Sequence, residues 1–253
     1  MGISAEEKID LIKIHLEKMD AFSGEFEAQI QGVVEKHKRE GSNIEFAYVE
    51  HFHNEIIGLS KLFQYLLKNE ENRKYVFFPV RASIEVLLTL EHVLELSKQG
   101  GDKVLSLLSK DMAQSVAALD EASPTDPSHK MHSTIRMMGV ANKIIKTDFD
   151  LEKIKSNTKV FPDIRSLCNK SNLSLKDLKG GDIYHIYKMY SESNHLRLTN
   201  HHSISNDANL DCWALEYFIE IYIRFYELIL NTGIFPTHFV EKLNSIKNQA
   251  GIK

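Results

Sequence analysis

Cysteine, proline and tryptophan are scarce: two, five and one in 253 residues. Cys168 and Cys212 stand alone, in no C-x-x-C and no zinc spacing. That excludes a disulfide framework and predicts a reducing, cytoplasmic home. No apolar run approaches the ~18 residues of a membrane helix, so neither a span nor a membrane partner is expected. The opening MGISAEEKID lacks the apolar core of a secretory signal, and Glu6 stands where a myristoylation motif takes Ser or Thr. An excess of one charge is missing as well. Lys and Arg number 31 against 35 Asp and Glu, a net −4. This excludes a uniformly basic nucleic-acid coat or a membrane-surface binder but still permits a local basic patch. Strand-like alternation, internal repeats and low-complexity tracts are also absent.

What is present is helical periodicity. Ser4-Ala-Glu-Glu7 is a capping box. Behind it Ile9, Ile12, Leu16, Met19, Ser23, Phe26, Ile30, Val33 and His37 recur at steps of three and four, a heptad-like seam that Ser23-Gly24 could kink. Residues 1–40 therefore read as one long helix, either packed on its own bundle or pairing with a second copy to make a homodimer. After a turn at Gly41-Ser42-Asn43, the stripe Val49, Phe52, Ile56, Leu59, Phe63, Leu66 marks a second helix. Pro79 opens or kinks a third, over 80–97, which is apolar nearly all round and so is expected to be central. Further helices are predicted over 102–119, 128–145 and 162–170, with 146–159 a charged, flexible connector. A long helix over 211–231 and a short one over 237–248 follow. On its polar side Glu216, Glu220, Arg224 and Glu227 should be solvated, with Glu220 and Arg224 an i,i+4 pair. The expected fold is all-α: a single domain, 1–253, of about seven helices without a sheet.

The densest chemistry lies at 184–202, YHIYKMYSESNHLRLTNHH. Gly180-Gly181 should break the preceding structure, and Asp182 should cap the new helix. At ~100° per residue, Ile183, Ile186, Met189 and Tyr190 share the packing side. Tyr184, Ser191 and His195 then share the other, flanked by Tyr187. A second polar strip, Arg81, Glu85 and His92, runs along the third helix, where charges are costly unless paired. The two strips are expected either to satisfy their own hydrogen bonds or to meet and form one polar pocket.

Arg197 and His202, four residues apart between them, can converge on one phosphate. The Arg would offset developing negative charge, and the His would act as acid or base on a ribose hydroxyl, with no metal or cofactor required. The spacing resembles the R-x4–6-H motif of the HEPN superfamily, whose helical dimers are often metal-independent ribonucleases of defence and toxin–antitoxin systems; Leu198 departs from its preferred polar residue. FFPVRASIEVLL with Arg81 and Glu85, then Pro162 to Asn169, then Tyr187-x-x-x-Ser191-x-x-x-His195, resembles an uncharacterised bacterial helical family that recurs beside mobile or defence genes. That likeness spans residues 45–230, with Leu196 and Arg197 where the family shows Pro. The HEPN-like spacing implies a defence-type endoribonuclease acting on RNA, with Arg197, His202 and His195 catalytic; the second likeness implies a fold and a site at Arg81, Glu85, Tyr187, Ser191 and His195 rather than a reaction, and the two polar strips add Tyr184 and His92 as orienting residues. Two alternatives stay open. One is a non-enzymatic ligand-sensing or interaction module. The other is a metal-binding bundle using Glu50-x-x-His53, Glu192-x-x-His195 and Glu85, the spacing of di-iron proteins, or a zinc site of His185, His195, His201 and His202.

Overall fold

The computed structural model describes residues 5–40, 45–68, 70–108, 110–111, 161–176, 178–194 and 208–252. The fold is all-α. Helix α1 spans Ala5–Glu40, α2 Glu45–Lys68 and α3 Phe77–Lys98, with a 3-10 helix at Glu70–Tyr75 before α3. Residues 101–108 are helical. Then come α4, Ile164–Lys170; α5, Gly180–Asn194; α6, Ala208–Leu230; and α7, Thr237–Gln249. The predicted helix 128–145, the connector 146–159 and the end of the 102–119 helix lie outside the described residues. Pro79 sits in the first turn of α3, where its missing N–H costs no helical bond. α1 runs unbroken through Ser23-Gly24.

The chain divides into two compact units, one made of 1–29, 51–91 and 164–253, the other of 30–50 and 92–163. In the first, α6 is the central helix. Ala214, Leu215, Phe218, Ile219, Ile221, Tyr222, Ile223, Phe225, Tyr226 and Ile229 are all buried, covering more than half of its circumference. The aromatic rings set its neighbours. Phe22 and Phe26 of α1 meet Tyr226 edge-on at 5.0 and 5.5 Å, and Phe26 also contacts Phe235 and Phe239 at 4.7 and 4.9 Å. Phe63 of α2 stacks on Phe218 at 4.8 Å. Such pairs contribute ~0.5–1.5 kcal/mol beyond their area. The seam residues Ile9, Leu16, Met19, Ser23 and Phe26 are buried within the chain itself; any second copy would have to use another face.

A belt of polar groups crosses this aromatic core. Asp20 accepts from Ser60 at 2.8 Å, from Tyr222 at 3.3 Å and from Gln64. Buried His53 hydrogen-bonds Tyr226 through Nδ1 at 3.0 Å, and burial pushes its pKa down to about 4.

The described residues contain one strand pairing, a hairpin of Ser174–Leu175 with Leu178–Lys179, antiparallel and only two residues a side. It rests on α6 and changes the reading of that helix's polar side. Glu220 is 3% exposed rather than solvated, because the hairpin covers it. Its carboxylate accepts the backbone N–H of Lys176 with both oxygens, at 2.9 and 2.8 Å. Lys176 has φ +48°, a left-handed turn geometry unfavourable for a side chain. The expected Glu220–Arg224 pair forms at 3.6 Å, and Arg224 also donates to Glu227 at 2.7 Å.

In the second unit Ile30, Val34, Phe46, Tyr48, Val49, Val93, Leu94, Val104, Leu107 and Leu108 form the core, with Phe161 edge-on to Tyr48 at 6.1 Å.

Candidate functional site

The hairpin delivers the chain directly into α5. The helix begins at Gly180, so Gly180-Gly181 form its first residues rather than a break before it, and exposed Asp182 lies within the first turn rather than capping it. There its charge complements the positive end of the helix dipole. Ile183, Ile186 and Tyr190 are buried as their spacing predicts, and Tyr190 stacks on Phe77 of α3 at 5.2 Å. Met189 is 43% exposed instead. The buried stripe steps 183, 186, 190, and Met189 lies about 100° off its last member.

The other strip of α5 meets the polar strip of α3. Tyr187 donates its hydroxyl hydrogen to Glu85 Oε1 at 2.8 Å, and Arg81 Nη2 donates to the Tyr187 oxygen and to Glu85 Oε1, each at 3.2 Å. Three side chains from two helices thus close a ring of hydrogen bonds in which each polar group serves two others. The side chains of Arg81 and Glu85 are 29% and 39% exposed, so the ring opens to solvent. Burial, then the bond to Glu85, raises the Tyr187 pKa and keeps the phenol protonated at neutral pH. Arg81 Nε is buried with no hydrogen-bond partner, so the guanidinium has donor capacity left over.

Aromatic contacts extend the ring. Tyr184 and Tyr187, one turn apart, lie near-parallel with centroids 6.3 Å apart. The Arg81 guanidinium carbon is 5.3 Å from the Tyr187 centroid, and that of Arg165, on α4, is 5.9 Å from Tyr184. The sequence marks the Pro162–Asn169 stretch but does not single out its Arg165; the packing of α4 on α5 brings that residue to this row.

The structure thus brings together Arg81, Glu85, Tyr187 and Tyr184. Ser191 is half-buried on the same helix. His92 belongs to the second unit. Eleven residues along α3 from Arg81, it lines a cleft of about 450 Å³ in the second unit with Leu96, Lys103, Lys110, Phe161 and Asp163. His195, Arg197 and His202 lie outside the described residues. Among the described residues no group of three His, Cys, Asp or Glu side chains could hold a metal. The His53 of the first Glu-x-x-His pair is turned into the core against Tyr226.

No family model, no curated protein and no solved structure matches this chain. Its class therefore rests on its own residues: an all-helical protein with a half-exposed arginine–tyrosine–carboxylate ring.

Proposed function

We propose that this protein is a metal-independent endoribonuclease of the defence-effector kind. The observation that carries the reading is the Arg81–Tyr187–Glu85 ring, which fixes the polar strip of α5. That helix leads in sequence from Tyr187 through Ser191 to His195, Arg197 and His202. In this reading the ring orients the strand and the three downstream residues carry the chemistry. A histidine takes the proton of a ribose 2′-hydroxyl, whose oxygen attacks the adjacent phosphorus. The P–O5′ bond breaks, the leaving oxygen receives a proton, and a 2′,3′-cyclic phosphate results. Arg197 offsets the charge gathering on the phosphoryl oxygens.

The test is cleavage of a mixed RNA pool in EDTA by wild type beside Arg197→Ala and His202→Ala. Cleavage leaving cyclic-phosphate ends, lost in both folded variants, supports the proposal. A wild type that stays inert over a wide concentration range overturns it. The cleft lined by Lys103, Lys110 and His92 favours a second reading, a sensor of a small anionic ligand. Saturable binding of such a ligand by an RNA-inert protein would establish it.

A further inference from the structure

We infer that Arg165, Tyr184, Tyr187 and Arg81 form a stacking row for the unpaired bases of an RNA strand, which makes single-stranded RNA the substrate class. The inference rests on the ribonuclease reading for its catalytic part but stands on separate geometry. Four side chains from α3, α4 and α5 follow one another in the order cation, ring, ring, cation. The two rings are half-buried, so each is held by the helices yet keeps surface open to solvent.

The contacts within the row are loose. Cation–π attraction extends to about 6 Å from the ring centroid, and the two here, at 5.3 and 5.9 Å, lie toward that limit. Little is lost when the exposed Arg165 guanidinium moves aside and a base takes its place on Tyr184, while Arg81 stays held by Tyr187 and Glu85 and offers its own plane to a base. The electrostatics agree. Exposed Lys188 lies one turn beyond Tyr184 on the same strip. The carboxylate in the row, Glu85, is already engaged by Arg81 and Tyr187, which lessens its repulsion of phosphate. Bases in a duplex are paired and stacked and cannot lie on a flat aromatic row, whereas unpaired bases can.

The experiment uses the full chain carrying His202→Ala, so that RNA is bound without being cut. Affinity for a labelled single-stranded oligoribonucleotide is compared with that for the same sequence in a duplex, at fixed salt. The single strand is expected to bind at least tenfold tighter. Adding Tyr184→Ala should weaken single-strand binding at least about fivefold, or ~1 kcal/mol at 1.4 kcal/mol per tenfold, while Tyr184→Phe should not. Arg165→Ala should weaken binding and reduce the salt slope by about one. Equal binding of duplex, unaltered affinity in a folded Tyr184→Ala chain, or no RNA binding by the parent would each overturn the row. The two proposals also fail separately. Tyr184-dependent binding with an inert wild type removes the nuclease and keeps the row. Wild-type-like cleavage and binding by Tyr184→Ala removes the row and keeps the nuclease.

Discussion

Replacing Glu220 tests how α5, and with it the polar ring, is held in place. Glu220 is 3% exposed, receives the Lys176 amide on both oxygens at 2.9 and 2.8 Å and faces Arg224 at 3.6 Å. Glu220→Ala removes the only carboxylate gripping the hairpin turn by its backbone among the described contacts and leaves a small cavity. A hydrogen bond to a charged group contributes ~1.5–3 kcal/mol, and removing one partner of a buried pair costs ~3–5 kcal/mol. Here Arg224 keeps Glu227 at 2.7 Å, so the lower range applies. The expected loss is ~2–3 kcal/mol, or a melting temperature lower by about 4–12 °C for a chain of this size.

Glu220→Gln behaves differently. Burial raises the Glu220 pKa above its ordinary value, against the opposing pull of the Lys176 N–H and Arg224. A carboxyl whose folded pKa exceeds the unfolded one adds stability below the unfolded pKa and loses it as pH rises through the folded one. At pH 7 the ionised form therefore carries a desolvation cost that the neutral amide avoids, while the amide oxygen still accepts one bond. Glu220→Gln should lie within ~1 kcal/mol of wild type. Hydrogen exchange supplies the local readout: the Lys176 amide stays protected in wild type and Gln and loses protection in Ala. The reasoning is refuted if Ala costs under ~1 kcal/mol, or if Gln costs as much as Ala.

Two further outcomes follow from buried groups. The His53 pKa is about 4 in the fold against 6.5 when free, lowered by burial. The unfolded chain thus takes up a proton that the fold refuses, and stability falls as pH drops from about 6.5 toward 4, by up to ~3 kcal/mol at 1.36 kcal/mol per unit. A His53→Gln chain should show a flatter thermal-stability profile across that window; a profile as steep as wild type would refute the assignment. Burial pushes the Cys168 thiol up to about 11, so little thiolate exists at pH 8. It should resist alkylation in the folded protein and react only on denaturation, with rapid labelling of Cys168 in the native state as the contrary result.

Periodicity carried most of the fold, because a buried helical face repeats every three or four residues whatever it packs against. Ile183, Ile186 and Tyr190 in α5, and Phe218, Tyr222 and Phe225 in α6, are buried as their spacing requires. The spacing does not say how much of a helix's circumference is covered. In α6 the burial reaches past the apolar face to the polar side, where Glu220 is hidden because a two-residue hairpin lies over it. Glu220 has the same i,i+4 partner it would have on an open surface, so nothing local marks it. The meeting of Arg81 and Glu85 with Tyr187 was legible for the opposite reason. A charged pair on an apolar helix needs partners, and a hydroxyl strip on another helix offers them. Asp20 escaped notice because its partners Ser60, Gln64 and Tyr222 lie 40, 44 and 202 residues away.

The buried charge and the half-exposed ring belong to one mechanical problem. α5 is only fifteen residues long, and its stripe of Ile183, Ile186 and Tyr190 resists rotation but grips weakly along the axis, since apolar contacts are non-directional. Hydrogen bonds are directional, and two sets fix the helix at different heights. The Glu220 grip on Lys176 holds the hairpin from which α5 starts, and the Arg81–Glu85 pair holds Tyr187 two turns later. A slip of one residue would break both at once. That explains how a chain can tolerate a buried carboxylate and a left-handed lysine far from the polar strip. Their cost sets the position of Tyr187, and of Tyr184 one turn before it, to within the tolerance of a hydrogen bond.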